Sequence, residues 1–395
     1  MPMLFTDHPS LLVACLLLGL HLGLRWLNNR RTRLPLPPGP PKLPLVGNLF
    51  DIPTDIPRAE LYHKWAQTYE SDIIHFQVGN QSTIVLESIE AIREILDRRS
   101  SNYSDRTVLT MICELSGWEW AVSLMPYGDY WRKHRKMMHE SFNIVVAKQF
   151  RPQLVSAAHR LIARLIGEPE RVLDELRLMS GSFILDVAYG IKISSKDDPY
   201  MHLVAKAMEG ASATGIRGTY LVDYLPVMKY IPAWVPGFGF QRDAAIWRKA
   251  AHDLIEKPFA ETLNNTELGT AAPSFTSKLL RDTVTAGEPD PERYDIIRNT
   301  AGILYAAAAE TTVSTLGWFI LALMKHPEIQ HKAQAEIDSV VGHGNLPRFE
   351  DRPMMPYVEA IMKEVLRWKP VTPLGMHINV PVNPKLMCVH QRYHT

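Results

Sequence analysis

The pattern of apolar and polar positions predicts a chain made mostly of helices, with one β-hairpin near its start. Residues 73–79 and 82–88 are alternately or continuously apolar on either side of a turn at Gly79-Asn80-Gln81, which is typical of two paired strands. Elsewhere the apolar positions recur every three or four residues, as they do on one face of an amphipathic helix. The predicted helices cover residues 88–100, about 130–142, 147–167, 170–190, 198–214, 241–263, 292–325, 328–342 and 354–369. We therefore expect a fold that is mainly α with a small β part.

The longest predicted helix, residues 292 to about 325, is apolar except at its centre. There Glu310, Thr311 and Thr312 follow the four alanines of residues 306–309. A carboxylate and two hydroxyls are costly to bury without partners, and the alanines beside them would let a large group come close. The threonines could simply bond back to helix carbonyls four residues earlier. Alternatively, they and Glu310 could form a proton path to a buried ligand.

The N-terminus has a different pattern from the rest of the chain. Residues 11–27 are almost wholly apolar and are followed by Arg30, Arg31 and Arg33. This basic flank predicts an uncleaved membrane anchor with the rest of the chain in the cytosol, although a cleaved signal peptide is the alternative. Residues 30–50 are basic and rich in proline, which predicts a semi-rigid hinge rather than a simple linker.

Composition and charge narrow the class of partner. The chain has 43 Lys+Arg against 42 Asp+Glu, a formal net charge of +1, and we expect no nucleic-acid partner. The cysteines Cys15, Cys113 and Cys388 have neither zinc-site nor disulfide-framework spacing, so no metal site is predicted and a reducing compartment is expected. A cytosolic domain would leave unused the N-x-S/T sequons that start at Asn80, Asn102 and Asn264.

Two residue pairs share helix faces. Trp131 and Arg135 are four residues apart, and an indole N–H aimed together with a guanidinium would suit a ligand that carries a carboxylate. A solvated helix face is the simpler interpretation. Glu364 and Arg367 are three residues apart. They form either a surface ion pair worth little or a buried pair that anchors a later segment.

These features lie in one order along the chain: the apolar N-terminus, PPGPP leading to PLVGN, a W-x-x-x-R helix, a long helix with A-x-E-T-T, and E-x-x-R. In that order and spacing the chain resembles the membrane-bound haem-thiolate monooxygenases, the cytochrome P450 family, and looks most similar to fungal members. The resemblance covers roughly residues 1–377. It implies a cytochrome P450-like fold and a haem b cofactor.

The resemblance also implies roles for the centre of the long helix, which would cross the distal face of the haem. Ala307 and Ala308 would leave room for dioxygen and substrate, with Thr312 beside them. Glu310 and Thr311 would help to deliver protons to the oxygen that the haem activates. The family commonly has glycine at the position of Ala308, so the alanine would narrow this groove slightly.

The remaining motifs acquire roles in the same way. Trp131 and Arg135 match the pair that binds one haem propionate, and His377 in PLGMH matches a residue that often reaches the other. Glu364 and Arg367 match a buried pair that stabilises the core on the proximal side of the haem.

Partners and location follow from the resemblance as well. The apolar segment 222–240, broken by three prolines, looks like a substrate-entrance lid that touches membrane lipid. The basic face around Arg132 and Lys133 would suit the docking of an acidic NADPH–cytochrome P450 reductase. The implied location is a single-pass anchor in the endoplasmic reticulum with the main domain in the cytosol.

One element of the family pattern has no match in this sequence: the F-x-x-G-x-R-x-C-x-G loop that carries the iron ligand. Cys388, in KLMCVHQRYHT, lacks the glycine and phenylalanine of that loop, so no axial cysteine is found. The expected organisation is a membrane anchor (1–29), a hinge (30–50), a C-terminally truncated catalytic domain (51–377) and an atypical tail (378–395).

The predicted function is that of a haem-dependent monooxygenase that inserts one oxygen atom of O2 into an apolar small molecule, in fungal secondary metabolism or xenobiotic oxidation. Because a thiolate ligand favours O–O cleavage, the chain as written is expected to be inactive. An inactive membrane-anchored remnant and a lipid-binding helical protein without haem are the alternatives. Cys388, His390 and His394 could instead bind a metal, although their spacing fits no known zinc pattern.

Overall fold

The computed structural model describes residues 35–53, 55–79, 81–216, 219–285, 290–375, 378–379 and 385–389. The predicted membrane anchor and His377 lie outside these residues, so the interpretations of both remain predictions.

The described helices follow most of the predicted ones. Three of them begin at a side-chain cap: Ser88, Asp198 and Asp290 each accept the N–H of a residue two or three positions later. The helices are α1 (Arg58–Thr68), α2 (Ile89–Ile92), α3 (Asp129–Phe142), α4 (Arg151–Gly167), α5 (Val172–Tyr189), α6 (Pro199–Thr214), α7 (Phe240–Glu267), α8 (Phe275–Thr285), α9 (Pro291–Lys325), α10 (Pro327–Val341) and α11 (Pro356–Trp368).

Three of these helices differ from the prediction. The amphipathic helix expected over residues 88–100 is only four residues long, and a π-helical turn at Arg93–Asp97 follows it. α1 and α8 were not predicted. Short 3-10 helices and a second π-helical turn lie between the longer elements, at Leu49–Asp51, Ser100–Asn102, Thr110–Leu115, Val146–Phe150, Pro169–Arg171, Leu221–Asp223, Pro226–Tyr230 and Arg352–Met354.

The long helix α9 lies at the centre of the helical core. It packs against α3 and all of α5 to α8, and near its end against α10 and α11. Gly302 is required for one of these contacts, because a Cβ at this position would lie 2.3 Å from Cγ2 of Ile255 in α7. The absence of this side chain therefore lets α7 approach α9 closely.

The β part is a five-stranded sheet with the order β1-β2-β5-β4-β3. The predicted hairpin is present: β1 and β2 pair antiparallel, with Ile73 opposite Leu86. β5 pairs parallel with β2 and antiparallel with β4, and α1 packs its Trp65 against Phe76 of β1. The strands are β1 (Ile73–Val78), β2 (Gln81–Leu86), β3 (Asp105–Arg106), β4 (Ile378–Asn379) and β5 (Lys385–Val389).

The described part of the predicted hinge is bound to this sheet. Asn48 is 1% exposed, and its side chain donates to the carbonyl oxygens of Pro40 and Pro41 and accepts the backbone N–H of Gln77. From residue 35 onward the proline-rich segment is therefore held at a fixed position against β1.

Candidate functional site

An open cleft of about 740 Å³ lies against one face of α9, at its alanine run. We refer to it as the central cleft. Its walls come from α3, the turn that follows it, α4, α5 and Phe349, and they are mostly apolar. α9 contributes Ile303, Leu304, Ala307, Ala308, Thr311 and Thr312.

The alanine run has a packed side and an open side. Ala306 and Ala309 are buried against the helical core, whereas Ala307 is exposed. Thr311, four residues after Ala307, lies on the same helix face and is also exposed. The cleft stays open because the methyl groups on this face do not fill it.

The hydroxyl of Thr311 bonds back within the helix. Its Oγ1 donates to the carbonyl oxygen of Ala307 at 2.7 Å, so one of the two interpretations of the threonines is observed directly. A hydroxyl that donates can still accept, and the proton-path interpretation is left open. Glu310 is half-buried, does not line the cleft and makes no hydrogen bond or ion pair with another described residue. Of the predicted residues of this helix, Ala307, Ala308, Thr311 and Thr312 therefore line the central cleft, whereas Glu310 does not.

The opposite wall belongs to α5, which sequence reasoning assigned no role. Phe183, Ile184 and Val187 line the cleft from one face of this helix. One turn earlier, Oγ of Ser180 donates to the carbonyl oxygen of Ala308 at 2.7 Å. The only sequence signal was the helical spacing of the apolar residues, which is equally typical of a filled core.

The α3 helix carries the predicted carboxylate-binding pair towards the cleft. Trp131 and Arg135 share a helix face with Met138 and Phe142, two residues that line the cleft. Trp131 packs against Tyr127, with ring centroids 5.2 Å apart. Arg135 is exposed and makes no hydrogen bond or ion pair with another described residue. Neither Trp131 nor Arg135 lines the cleft itself, so the carboxylate site assigned to this pair stays a prediction.

A buried polar contact holds α3 against α9. His134 is fully buried, and its Nδ1–H donates to the carbonyl oxygen of Tyr130 at 2.9 Å. The side-chain amide of Asn299 in α9 lies 3.5 Å from His134 Nε2 and donates to the Tyr130 hydroxyl at 3.2 Å. Burial lowers the pKa of His134, against the opposing effects of the Tyr130 carbonyl and of Glu292 and Asp295. The ring is therefore neutral at pH 7.

The Glu364–Arg367 pair forms, but it is not buried as expected. Two guanidinium nitrogens of Arg367 donate to the Glu364 carboxylate, with side chains 58% and 33% exposed for Glu364 and Arg367. The neighbouring Arg367 guanidinium lowers the pKa of Glu364. The predicted burial is not seen among the described residues, and the structural role of the pair stays a prediction. Glu364 instead lines a second cavity of about 380 Å³ between α9, α10 and α11.

The predicted lid and docking face are both on the surface. Within the segment 222–240, Val227, Tyr230 and Trp234 are 67%, 75% and 81% exposed. The basic face of α3 is partly neutralised, because Arg132 contacts Asp129 and Lys133 contacts a glutamate of α9. Such exposed pairs are weak, so both cations could still exchange partners.

The described residues fit the distal side and one edge of a haem. The ring would meet an apolar wall and small alanine side chains, and Arg135 could bind a propionate. A thiolate is not offered by Cys113: it is buried in the helical core, and burial raises the pKa of its thiol to about 11. The backbone of Cys388 pairs with Val85 in the sheet, and His390 and His394 lie outside the described residues.

One described helix, α9, is long and apolar enough to cross a membrane. In this fold it is the central helix of the described core, where ten of its residues are buried, although only 11% of the 18-residue window that meets the membrane criterion is buried. Its hydropathy therefore says nothing about the predicted anchor at residues 1–29, which lies outside the described residues.

Comparison with known proteins gives consistent matches. The family model described as Cytochrome P450 matches residues 37–381. A cytochrome P450 monooxygenase of Armillaria gallica is 38% identical over 372 residues, which cover 94% of this chain and 73% of the relative. A cytochrome P450 monooxygenase of Rhodocybe pseudopiperita is 41% identical over 352 residues, 89% of this chain and 67% of the relative. A tryptamine 4-monooxygenase of Psilocybe cyanescens is 36% identical over 370 residues, 93% of this chain and 72% of the relative.

Proposed function

The chain belongs to the cytochrome P450 family, and from this premise we propose that it is a haem-dependent monooxygenase that inserts one oxygen atom of O2 into an apolar small molecule. The observation that carries the proposal is the central cleft, where an apolar wall, two alanines and a threonine hydroxyl lie side by side. When bound there, haem supplies the activation of dioxygen. The residues of the chain would bind and orient the haem and the substrate, and they would supply protons.

Binding and proton supply are divided between two helices. On α3, Trp131 and Arg135 would hold a propionate through charge-assisted hydrogen bonds. On α9, the bond to the Ala307 carbonyl fixes Oγ1 of Thr311 at the cleft wall. To relay a proton to a group bound in the cleft, the hydroxyl of Thr311 would turn from the Ala307 carbonyl towards that group while its oxygen accepts a replacement proton. Glu310, one residue away and half-buried, is the acid that we propose replaces that proton.

The cofactor proposal is tested first by haem titration of the full chain. We expect Arg135→Ala to weaken haem binding about tenfold, because a hydrogen bond to a charged group contributes roughly 1.5–3 kcal/mol. Lys136→Ala is the matched control: this exposed cation is the next residue on α3 and already has Glu140 at 3.9 Å. Equal affinity for wild type and Arg135→Ala, or an equal loss in Lys136→Ala, would contradict the assigned propionate site.

Monooxygenase activity needs a thiolate as well as haem, so it requires its own test. The sequence has no axial cysteine loop, so a thiolate ligand is not expected. A shifted absorption band when carbon monoxide is added to the reduced, haem-loaded chain, lost in Cys388→Ser, is the outcome that would support activity. A histidine-type band would leave the haem site in place and contradict the activity. The inactive membrane-anchored remnant predicts that outcome or no haem band at all.

For partners and location we propose NADPH–cytochrome P450 reductase as electron donor and the endoplasmic reticulum membrane as the site, with the main domain in the cytosol. The exposed aromatic residues of segment 222–240 support contact with membrane lipid. Reductase docking on α3 would require the Arg132 and Lys133 pairs to exchange their carboxylates for those of the reductase. Because the predicted anchor would itself hold the chain on vesicles, the measurement is hydrogen exchange across residues 222–240. Slower exchange on vesicles than in solution is the expected result, with the difference lost in Tyr230→Ser/Trp234→Ser, and equal exchange in wild type would contradict the lipid contact.

A further inference from the structure

Ser180 makes the only side-chain hydrogen bond between α5 and α9 among the described residues. It is 4% exposed, and its hydroxyl donates to the carbonyl oxygen of Ala308 at 2.7 Å. A helical serine usually bonds back to a carbonyl three or four residues earlier in its own helix. Ser182 does so, donating to Met179 at 3.1 Å, whereas Ser180 reaches across to a neighbouring helix.

The turn of α9 that Ser180 contacts has little side-chain packing of its own. The residues of the alanine run each present a single methyl group, whereas a buried leucine side chain makes roughly 40–60 atom contacts. The small side chains that keep the central cleft open therefore also weaken the hold of the core on this turn. The hydrogen bond from Ser180 of α5 therefore helps to hold this turn of α9 in position, as side-chain packing does elsewhere along the helix.

The same turn carries the threonine of the proposed proton path. The carbonyl next to the one bound by Ser180 belongs to Ala307 and accepts from Thr311. In an α-helix the carbonyl of Ala308 also accepts the backbone N–H of Thr312. Two adjacent carbonyls are thus tied, one to α5 and one to Thr311, so movement at Ala308 would move Thr311.

We propose that Ser180 is a positioning residue whose hydrogen bond to Ala308 fixes the backbone turn that carries Thr311 at the wall of the central cleft. The catalytic meaning of this turn rests on the proposed function. The effect of the bond on the turn does not, because it concerns α5 and α9 alone.

Hydrogen exchange on the full chain without haem tests the bond directly. Ser180→Ala is expected to speed amide exchange at Thr311 and Thr312 about fivefold, since a hydrogen bond contributes on the order of 1 kcal/mol to holding a local structure closed. Ser182→Ala removes another buried hydroxyl, 9% exposed, two residues away and is expected to leave these rates unchanged. Unchanged rates in Ser180→Ala, or the same acceleration in Ser182→Ala, would overturn the proposal.

Two further measurements separate positioning from general stability. Ser180→Thr keeps a hydroxyl and is expected to restore the protection, while rates like those of Ser180→Ala would count against the hydroxyl. In haem-loaded protein supplied with electrons, Ser180→Ala should raise the share of O2 released as hydrogen peroxide, with KM for the substrate unchanged. A chain that binds no haem would overturn the proposed function and leave the exchange result standing, whereas equal exchange rates would overturn the role of Ser180 whatever the haem result.

Discussion

The two faces of α9 are similarly apolar in the sequence, but they do different work in the fold. On the packed face, Ile297, Ala301 and Tyr305 are fully buried against neighbouring helices. On the cleft face, Ala307 and Thr311 are exposed and their side chains leave a cleft of about 740 Å³. The residues that stabilise the fold and the residues that line the candidate site therefore lie on different faces of one helix.

This separation explains how α9 can be held firmly in the core and still form one wall of an open cleft. The packed face holds α9 through close contacts, including the approach of Gly302 to Ile255, because interiors packed at crystal-like density resist displacement. The cleft face can then use small side chains and hydroxyls without loss of the fold. At the alanine run the side chains make few packing contacts, and the hydrogen bond from Ser180 helps to hold this part of α9 in place.

The largest expected effect is on stability, and it is tested by substituting one residue on each face of α9 in separate variants. Ile297→Ala should lower the free energy of unfolding by about 2–5 kcal/mol, because it leaves a cavity in the core. Thr312→Ala should stay within about 0.5 kcal/mol of wild type, since it removes an exposed side chain with no hydrogen-bond partner among the described residues. Urea unfolding measures both. A loss in Thr312→Ala as large as that in Ile297→Ala would show that the cleft face is packed, and the comparison would fail.

The sequence predicted the packed face well because that face follows local rules. The long helix was expected over 292–325 and runs over Pro291–Lys325, between a capping Asp290 and the His326-Pro327 stop. The prediction of the cytochrome P450 family from motif order is confirmed by the match over residues 37–381. The mainly α fold with a small β part is confirmed as well. The spacing of apolar residues and the capping residues can be recognised within short stretches of the sequence, and the order of the motifs can be read directly along it.

The cleft face could not be predicted to the same depth because its walls come from distant segments. The sequence placed Thr311 and Ala307 on one face, but it could not show that α5 supplies the opposite wall or that Ser180 reaches Ala308. The burial expected for the Glu364–Arg367 pair is not seen among the described residues, since burial depends on what packs over α11. The assigned roles of Glu310, Thr311 and the Trp131–Arg135 pair stay predictions.

An intermediate effect is expected at a polar contact of the packed face, where His134 meets Asn299. Burial lowers the pKa of His134 in the folded state, so below its ordinary value of about 6.5 the unfolded chain takes up a proton that the folded chain does not. Stability contributed by the neutral ring is therefore fully present above that pH and is lost as pH falls through it, with a slope of up to about 1.4 kcal/mol per pH unit.

Urea unfolding between pH 7.5 and 5 checks this expectation. His134→Gln should flatten the slope in this range, while His139→Gln, an exposed histidine of the same helix, should retain it. Parallel slopes in wild type and His134→Gln would mean that the ring can be protonated in place, and the contact between α3 and α9 would then tolerate charge.

The smallest effect is expected for Glu364→Gln, which tests whether α11 presents an open face as the cleft side of α9 does. The pair has good geometry, but Glu364 is 58% and Arg367 33% exposed, and at a surface a high dielectric and the entropy of two long side chains cancel most of the attraction. The urea midpoint should therefore be indistinguishable from wild type, and added salt should not separate the two proteins. A buried pair behaves differently, because removal of one partner leaves an uncompensated charge away from water. A drop in midpoint approaching that of Ile297→Ala would thus show that another part of the protein covers Glu364 and Arg367, and the face of α11 would belong with the packed side of α9.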